Sequence, residues 1–279
     1  MKIKKIGMFL GVVTILFLLL YIYGFYIEPN MIIEKECTLT TTEKETKEEI
    51  KIIQLSDIEL SSNFSLDKLL EVVNKVNAQK PDIVVFTGDL FQDFSKYNEM
   101  DEVIQKLSSI QSRYGKYAVY GNKDYGGGAG SYYDEIMKEA GFRVLVNEDA
   151  EIDTENGQKI LIAGVDDELW GNPDIEQTST HVKDKYDYRI LLAHEPSLGK
   201  KFVEEPFDVI LTGHSHGKQV NIPLISKLVM KDHVGDGEMR SGFYEFNDTK
   251  LYVNTGLGTS QISVRIFVPP EIVIFNLKL

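Results

Sequence analysis

The sequence predicts an α/β fold, two packed mixed β-sheets flanked by helices, preceded by one N-terminal transmembrane helix. Two observations predict it: an uncharged apolar run at residues 6–27, and a regular alternation of short apolar runs with amphipathic helical patterns from residue 50 onward. At 279 residues the chain is long enough for one domain with a sizeable core. Hydrophobic residues make up 43% and charged residues 26%, a balance that excludes a disordered chain.

The apolar run, IGMFLGVVTILFLLLYIYGFYI, has the length that a helix needs to cross a bilayer, which is roughly 20 residues. Lysines precede it at positions 2, 4 and 5, and Glu28 follows it. The positive-inside rule therefore places residues 1–5 in the cytoplasm as a basic tail and the rest of the chain outside. The run ends in aromatic residues, which are typical of a membrane interface. This ending favours an uncleaved anchor in the cell membrane over the alternative, a cleaved signal and a secreted protein.

The elements after the anchor can be predicted in order. Residues 28–49 are rich in Thr, Glu and Lys and form a spacer or an edge strand, and the domain extends over residues 50–279. Residues 50–57 (IKIIQLSD) are a short apolar run, typical of a buried strand. A helix follows, with Ser65 as its N-cap. Its apolar face is predicted to consist of Leu66, Leu69, Leu70, Val73 and Val76.

Strand and helix patterns then alternate along the chain, which predicts a parallel or mixed sheet with helices outside it. The predicted strands lie at residues 82–89, 116–122, 142–147, 159–165, 188–195 and 207–214, and the helices around residues 99–110 and 132–140. Three last strands, at residues 241–246, 250–256 and 271–277, are predicted to form an antiparallel tail because the turns between them look short.

Charge and cysteine content exclude several classes of function. The net charge of −13 argues against a nucleic-acid partner, because a phosphate backbone needs a basic face. It does not exclude a small phosphorylated substrate, since a bound metal ion can invert the local field. The single cysteine, Cys37, excludes an intramolecular disulfide and a thiolate metal cluster.

Polar side chains follow five of the predicted strands, at the end where open α/β sheets place their binding crevice. These residues are Asp57, Asp89, Asn122, His194, His214 and His216. Carboxylates, an amide oxygen and imidazoles together suit manganese, iron, zinc or a similar divalent ion. One aspartate shared by two such ions would make a dinuclear centre, which clamps both oxygens of an in-line phosphoryl displacement.

The ordered set of motifs resembles the calcineurin-like metallophosphoesterase family, in its membrane- or cell-wall-associated branch, from residue 50 to the C-terminus. The family pattern D-x-H, G-D-x-x-D, G-N-H-[ED], H and G-H-x-H appears here as D-I-E, G-D-L-F-Q, G-N-K-D, H-E and G-H-S-H. The segments GVDDELWG (164–171) and YVNTGLGTSQISVRIFVPPEI (252–272) are similar to that branch as well. The resemblance implies two packed sheets flanked by helices.

The resemblance also implies a ligand set and a reaction. Asp57, Asp89 and His216 would hold the first of two divalent ions, with manganese favoured and iron, zinc or magnesium as alternatives. The second ion would be held by Asp89, as the bridge, together with Asn122, His194 and His214. A hydroxide that bridges the two ions would be the nucleophile, its pKa lowered by both cations.

The sequence departs from the family pattern at three positions. Glu59 replaces the histidine of D-x-H and is predicted to bind the first metal as a carboxylate, which favours harder ions such as manganese or magnesium. Lys123 replaces the histidine of G-N-H, where it could donate a proton to the leaving group or bind the substrate phosphate. Lys123 and the adjacent Asp124 are the predicted catalytic residues. Gln92 stands where the family has an aspartate, and Asp93 comes one residue late.

These inferences predict a membrane-anchored, two-metal phosphohydrolase or phosphodiesterase. Its substrate would be a phosphate ester or pyrophosphate carried by a small molecule or by an envelope lipid or cell-wall precursor. The alternative is a non-catalytic, metal-dependent protein that binds phosphorylated envelope components. Two segments are candidates for the rim of the site. Asp166, Asp167 and Trp170 could line it, the alternative being that they form a turn with a half-buried Trp, and residues 222–237 could form a flap over it.

Overall fold

A computed structural model of the chain describes residues 2–40, 49–126, 130, 132–222 and 239–279. The strands are β1 (Ile33–Thr40), β2 (Glu49–Leu55), β3 (Ile83–Phe86), β4 (Lys116–Ala118), β5 (Arg143–Val144), β6 (Glu148–Asp153), β7 (Lys159–Gly164), β8 (Tyr188–Leu192), β9 (Val209–Thr212), β10 (Gly242–Phe246), β11 (Thr249–Val253) and β12 (Glu271–Lys278). The α-helices are α1 (Lys2–Ile22), α2 (Leu66–Ala78), α3 (Met100–Ser108), α4 (Asn122–Tyr125), α5 (Tyr133–Glu139), α6 (Ile175–Thr178) and α7 (Pro196–Lys200).

The strands form two mixed sheets, which confirms the predicted fold class. One sheet has the order β1-β12-β2-β3-β4-β5, and the other has the order β10-β11-β9-β8-β7-β6. Apolar residues from both sheets fill one continuous layer between them: Ile52, Val85 and Phe275 from the first, Ile162, Leu192 and Tyr252 from the second. Helices α2, α3 and α5 cover the outer face of the first sheet, and α7 packs on the outer face of the second.

Helix α2 shows how local sequence and packing agree. The Ser65 hydroxyl accepts a hydrogen bond from the N–H of Lys68, as expected for an N-cap. The buried face consists of Leu69, Val72, Val73 and Val76. Leu70, predicted to be on that face, is 41% exposed, because the helix packs with Val72 rather than Leu70 toward the sheet.

The C-terminal strands differ from the predicted antiparallel tail. Strands β10 and β11 do form an antiparallel hairpin, but β11 continues the second sheet by pairing parallel to β9. Residues 254–270 then cross to the other sheet, where β12 lies between β1 and β2, parallel to the former and antiparallel to the latter. The run Ile272–Phe275 is buried on both faces of the sheet. It therefore needs a position between two other strands, and the crossing of residues 254–270 places it between β1 and β2.

The N-terminal region joins this domain directly. Helix α1 exposes its apolar side chains, and the segment Lys4–Asn30 is long and apolar enough to cross a membrane, by length and composition only. A π-helical turn, Tyr23–Ile27, and a short 3-10 turn connect it to β1. Strand β1, within the range predicted as a spacer or edge strand, is an edge strand of the first sheet.

Candidate metal centre

The predicted ligands lie in five loops that leave the carboxyl ends of β2, β3, β4, β8 and β9. Strands β2, β3 and β4 run parallel to one another in the first sheet, and β8 and β9 run parallel in the second, so within each sheet the carboxyl ends of these strands lie at the same edge. Main-chain hydrogen bonds hold the loops against one another: the N–H of Asp57 donates to Gly88 at 2.9 Å, and the N–H of Gly213 donates to His194 at 2.9 Å. The structure thereby brings together all seven residues predicted as metal ligands.

One group of ligand atoms comes from Asp57, Glu59 and His216. All three side chains are buried, and their ligand atoms lie within 4.8 Å of one another. His216 Nε2 is 2.8 Å from Glu59 Oε1 and 3.5 Å from Asp57 Oδ1. The second carboxylate oxygen of Glu59 has no hydrogen-bond partner among the described residues. A buried carboxylate with an unsatisfied oxygen is costly, and a cation would satisfy it.

A second group surrounds His194. Its Nε2 is 3.5 Å from Asp89 Oδ2, 3.2 Å from Asn122 Oδ1 and 3.2 Å from His214 Nδ1. His214 Nδ1 is in turn 3.1 Å from the same amide oxygen. Asp57 belongs to this group too, because one of its carboxylate oxygens, a carboxylate oxygen of Asp89 and a ring nitrogen of His194 lie within 4.8 Å of one another. Two imidazole nitrogens, an amide oxygen and carboxylates form a donor set that suits a divalent transition-metal ion.

A main-chain carbonyl fixes the orientation of His194. The carbonyl of Thr87 can only accept, so His194 Nδ1, at 2.6 Å, must donate its N–H to it. Nε2 is then the nitrogen that faces the other ligands, as in metal-binding histidines generally. Burial lowers the pKa of His194, but Asp89 and Asp57 outweigh burial and hold that pKa well above its ordinary value. A metal ion bound there would replace a proton.

Backbone strain is concentrated at this centre. Five of the seven predicted ligands have a left-handed backbone conformation, which costs a non-glycine residue about 1 kcal/mol or more. They are Asp57 (φ 49°), Glu59 (φ 50°), Asp89 (φ 62°), His214 (φ 64°) and His216 (φ 49°). Strain of this kind persists where surrounding contacts over-determine it, and it is typical of functional sites.

Two glycines permit the loops to approach so closely. A Cβ on Gly213 would overlap Ser56 Oγ and Asp57 Oδ2, and a Cβ on Gly121 would overlap Asp89 Oδ1. The glycines of the G-H and G-N motifs are therefore required by the packing of the ligands themselves.

Lys123 and Glu59, the two departures from the family pattern, contact each other. Lys123 Nζ forms an ion pair with Glu59 Oε1, lies 3.0 Å from Ser260 Oγ and is 3.8 Å from Asp89 Oδ2. Burial pushes the pKa of Lys123 down, but the carboxylates of Glu59 and Asp89 outweigh burial and raise it. The side chain therefore carries a positive charge at neutral pH, which suits binding of phosphate better than donation of a proton.

Asp124 lies beneath the centre and is fully buried. Its carboxylate accepts the main-chain N–H groups of Asp89 at 2.7 Å, Leu90 at 2.8 Å and Gly121 at 2.9 Å. Burial, together with the nearby charge of Asp89, raises its pKa to about 8. These contacts suit a residue that positions the Asp89 loop, whereas the sequence predicted a catalytic role for Asp124.

Several residues at the site were not predicted from the sequence. Ser56 donates to Asp57 Oδ2 at 2.5 Å, and Ser260 contacts Lys123. The motif position beside Asp57 could have identified Ser56, and Ser260 lies in the segment 252–272, whose similarity to the family branch could have indicated it. Trp170, predicted for the rim or for a half-buried turn, is 70% exposed. Most of the predicted flap, residues 223–237, lies outside the described residues.

Comparison with known proteins decides which family this site belongs to. The sequence model of the calcineurin-like phosphoesterase family matches residues 50–218, more than half of the chain. The chain belongs to the calcineurin-like phosphoesterase family. It is therefore a metal-dependent phosphoesterase, and the two ligand groups described above are its candidate sites for divalent metal ions.

Three relatives place the chain within this phosphoesterase family. The uncharacterized metallophosphoesterase YkuE of Bacillus subtilis is 36% identical over 260 residues, covering 92% of this chain and 90% of that protein. The phosphodiesterase YaeI of Escherichia coli is 27% identical and covers 84% of each chain. A transmembrane protein with metallophosphoesterase domain from Danio rerio is 28% identical, over 82% of this chain and 53% of that protein.

Proposed function

We propose that this phosphoesterase is anchored in the cell membrane by α1 and hydrolyses a phosphate ester or pyrophosphate outside the cytoplasm with two divalent metal ions. One observation carries the proposal: two groups of buried ligand atoms share Asp57, with the ammonium of Lys123 beside them. A single metal would not need two such groups. A protein that only binds phosphate would not need the strained backbone of Glu59 or the unsatisfied oxygen of its buried carboxylate beside that ammonium.

The residues divide between the two ions as follows. Asp57, Glu59 and His216 would hold the first ion, and Asn122, His194 and His214 the second. Asp57 belongs to both ligand groups, and Asp89 lies 3.5 Å from His194 Nε2 and 3.8 Å from Lys123 Nζ, so these two carboxylates would be the ones shared between the ions. When bound, divalent ions lower the pKa of water and neutralise phosphate charge. With a carboxylate in place of a histidine, manganese or magnesium is favoured over zinc or iron.

The chain's own residues supply positioning and charge. The ammonium of Lys123 is placed to bind an oxygen of the phosphate, and Ser260 Oγ orients that ammonium. Because the pKa of Lys123 is raised, the proton that the leaving group needs would come from solvent rather than from Lys123. Asp124 would hold the Asp89 loop in register through its three backbone hydrogen bonds.

Membrane anchorage is supported by the exposed apolar surface of α1 and by the lysines that precede it. The name of the Danio rerio relative also mentions a transmembrane protein, and that of YaeI a phosphodiesterase. These features favour a catalytic domain held at the outer face of the membrane. They also favour a phosphodiester among its substrates, carried by an envelope lipid or cell-wall precursor.

The test uses the full chain in detergent, stripped of metal and reloaded separately with manganese, magnesium, zinc or iron. Hydrolysis of bis-p-nitrophenyl phosphate and p-nitrophenyl phosphate is measured for the wild type, Asp89→Asn and the matched control Asp93→Asn. Asp93 lies in the same loop but pairs with the surface residue Lys96. We expect metal-dependent turnover that is lost in Asp89→Asn and kept in Asp93→Asn. Stoichiometric metal binding with no turnover would contradict hydrolysis and favour the binding protein.

A further inference from the structure

The end of helix α1 is built into the catalytic domain. The carbonyl of Gly24 accepts the N–H of Arg265 at 2.9 Å, and a Cβ at Gly24 would lie 2.7 Å from Ile266 Cγ1. The carboxylate of Glu28 is 1% exposed and accepts the N–H groups of Phe267 at 2.7 Å and Val268 at 2.5 Å. A helix that served only as a tether would need none of these contacts. The contacts fix how the domain sits relative to the helix.

The segment on the other side of these contacts, residues 256–268, also packs against the metal centre. We call it the bridging loop. Gly256 lies against the side chain of Asp57, and Gly258 lies so close to Glu59 that a Cβ there would be 2.8 Å from Glu59 Cβ. Ser260 Oγ contacts Lys123 Nζ at 3.0 Å. The same loop therefore touches the site at one end and the helix at the other.

Arg265 holds the bridging loop in this shape. Its guanidinium is fully buried and donates to four main-chain carbonyls, those of Thr255, Gly256, Gly258 and Val268. A loop whose carbonyls converge on one buried cation has a single well-defined conformation. The path from the end of α1 to the metal centre is consequently rigid.

The bridging loop exposes apolar side chains beside the helix. Ile262 is 58% exposed and Phe267 is 59% exposed, while Tyr26 and Ile27 at the helix end are 64% and 46% exposed. The Phe267 ring lies 6.2 Å from the ring of Tyr23, so loop and helix form one continuous surface. Under the loop, an apolar cluster of Val220, Val264 and Ile266 packs against Leu20 and Phe25 of the helical segment. Aromatic and apolar side chains at the end of a spanning helix are typical of the membrane interface.

We infer that the bridging loop is a second membrane contact, which seats the mouth of the metal centre on the bilayer that α1 spans. The partner that fits this surface is the lipid bilayer, because the exposed Phe267 lies beside the ring of Tyr23 and so extends the apolar surface of the helical segment into the loop. The substrate class that follows, resting on the proposed function, is a phosphate ester whose carrier is embedded in that bilayer. The phosphate of such a molecule lies at the interface, at the depth of the exposed aromatic rings.

Bromolipid quenching of a tryptophan tests the contact directly. Trp170 is the single tryptophan of the chain, so Trp170→Phe gives a silent background. Phe267→Trp and, separately, Ile262→Trp are then introduced into the full chain in phosphatidylcholine vesicles with brominated acyl chains. The matched control is Tyr186→Trp, which precedes β8 and so lies at the strand end opposite the site. We expect quenching severalfold stronger at positions 262 and 267 than at 186. Equal quenching at all three positions would overturn the inference and leave a protein partner for the loop.

Inhibition tests the substrate class. Hydrolysis of the water-soluble chromogenic ester is measured with glycerol 3-phosphate, or with phosphatidic acid in the vesicles at the same phosphate concentration. We expect at least tenfold stronger inhibition by phosphatidic acid, and we expect the double variant Ile262→Ser/Phe267→Ser to lose this difference. Equal inhibition by both, or a difference that survives in the double variant, would overturn the inference. Turnover of the chromogenic ester reports that each variant folds, and its absence in the wild type would instead refute the proposed function.

Discussion

Replacing Arg265 with methionine removes the cation on which the bridging loop depends. Four buried carbonyls lose this donor; that of Gly256 keeps the N–H of Glu271, and each of the other three, if left unsatisfied, costs about 1–3 kcal/mol. Part of that loss is offset, because burial of the guanidinium is itself unfavourable and lowers the pKa of Arg265 to about 10. We expect a net loss on the order of 3 kcal/mol in the free energy of unfolding. For a chain of this size that corresponds to a melting temperature lower by roughly 6–12 °C.

Thermal denaturation of the full chain in detergent, followed by intrinsic fluorescence, measures this effect. The matched control is Arg113→Met; the Arg113 side chain is 44% exposed and forms ion pairs with Glu155 and Asp82. Exposed ion pairs contribute little to stability, so the control should shift the melting temperature much less than Arg265→Met does. If Arg265→Met melts as the control does, Arg265 does not hold the bridging loop, and the reasoning is wrong.

Three further predictions concern the metal centre. Lys123→Met should lower turnover about 10²-fold, equally for esters with good and poor leaving groups, because the ammonium binds phosphate; stronger slowing of the poor leaving group would instead establish Lys123 as a general acid. Gly213→Ala should abolish metal binding measured by calorimetry, because its Cβ overlaps Asp57 Oδ2, whereas Gly126→Ala, whose Cβ meets nothing within 4 Å, should bind normally. Metal affinity should fall as pH falls, because the pKa of His194 is raised and its proton must leave. In the metal-free chain, protonated His194 stabilises the folded state. This contribution is fully present below the pKa that His194 has in the unfolded chain, and it is lost as pH rises through the raised pKa of the folded chain. Calorimetry in two buffers of different ionisation enthalpy checks the proton release, and an identical heat in both would contradict it.

The sequence predicted which residues come together because parallel strands bring their carboxyl ends to one edge. Knowing that Asp57, Asp89 and His194 each follow a strand was enough to expect them together. The position of each residue at the end of its strand is enough to predict that these residues lie close together, without knowledge of any contact between them.

Long-range pairing could not be predicted in the same way. Glu59 and Lys123 lie far apart in the chain, and nothing local in the sequence indicates that these two departures contact each other. Strand β12 shows the same limit, since its apolar run predicts burial but not which sheet receives it. The position of Glu28 after the apolar run predicts only the charged flank of an anchor, whereas its carboxylate is buried and accepts hydrogen bonds from the main chain of the bridging loop.

Equilibrium dialysis of the metal-free full chain against manganese, with the bound metal counted by mass spectrometry, tests the two-metal centre most directly. We predict two ions per chain for the wild type. We predict close to one for His216→Ala, which removes a ligand of the first group, and close to one for His194→Ala, which removes a ligand of the second. A single ion in the wild type, or two ions kept in both variants, would contradict the assignment of these residues.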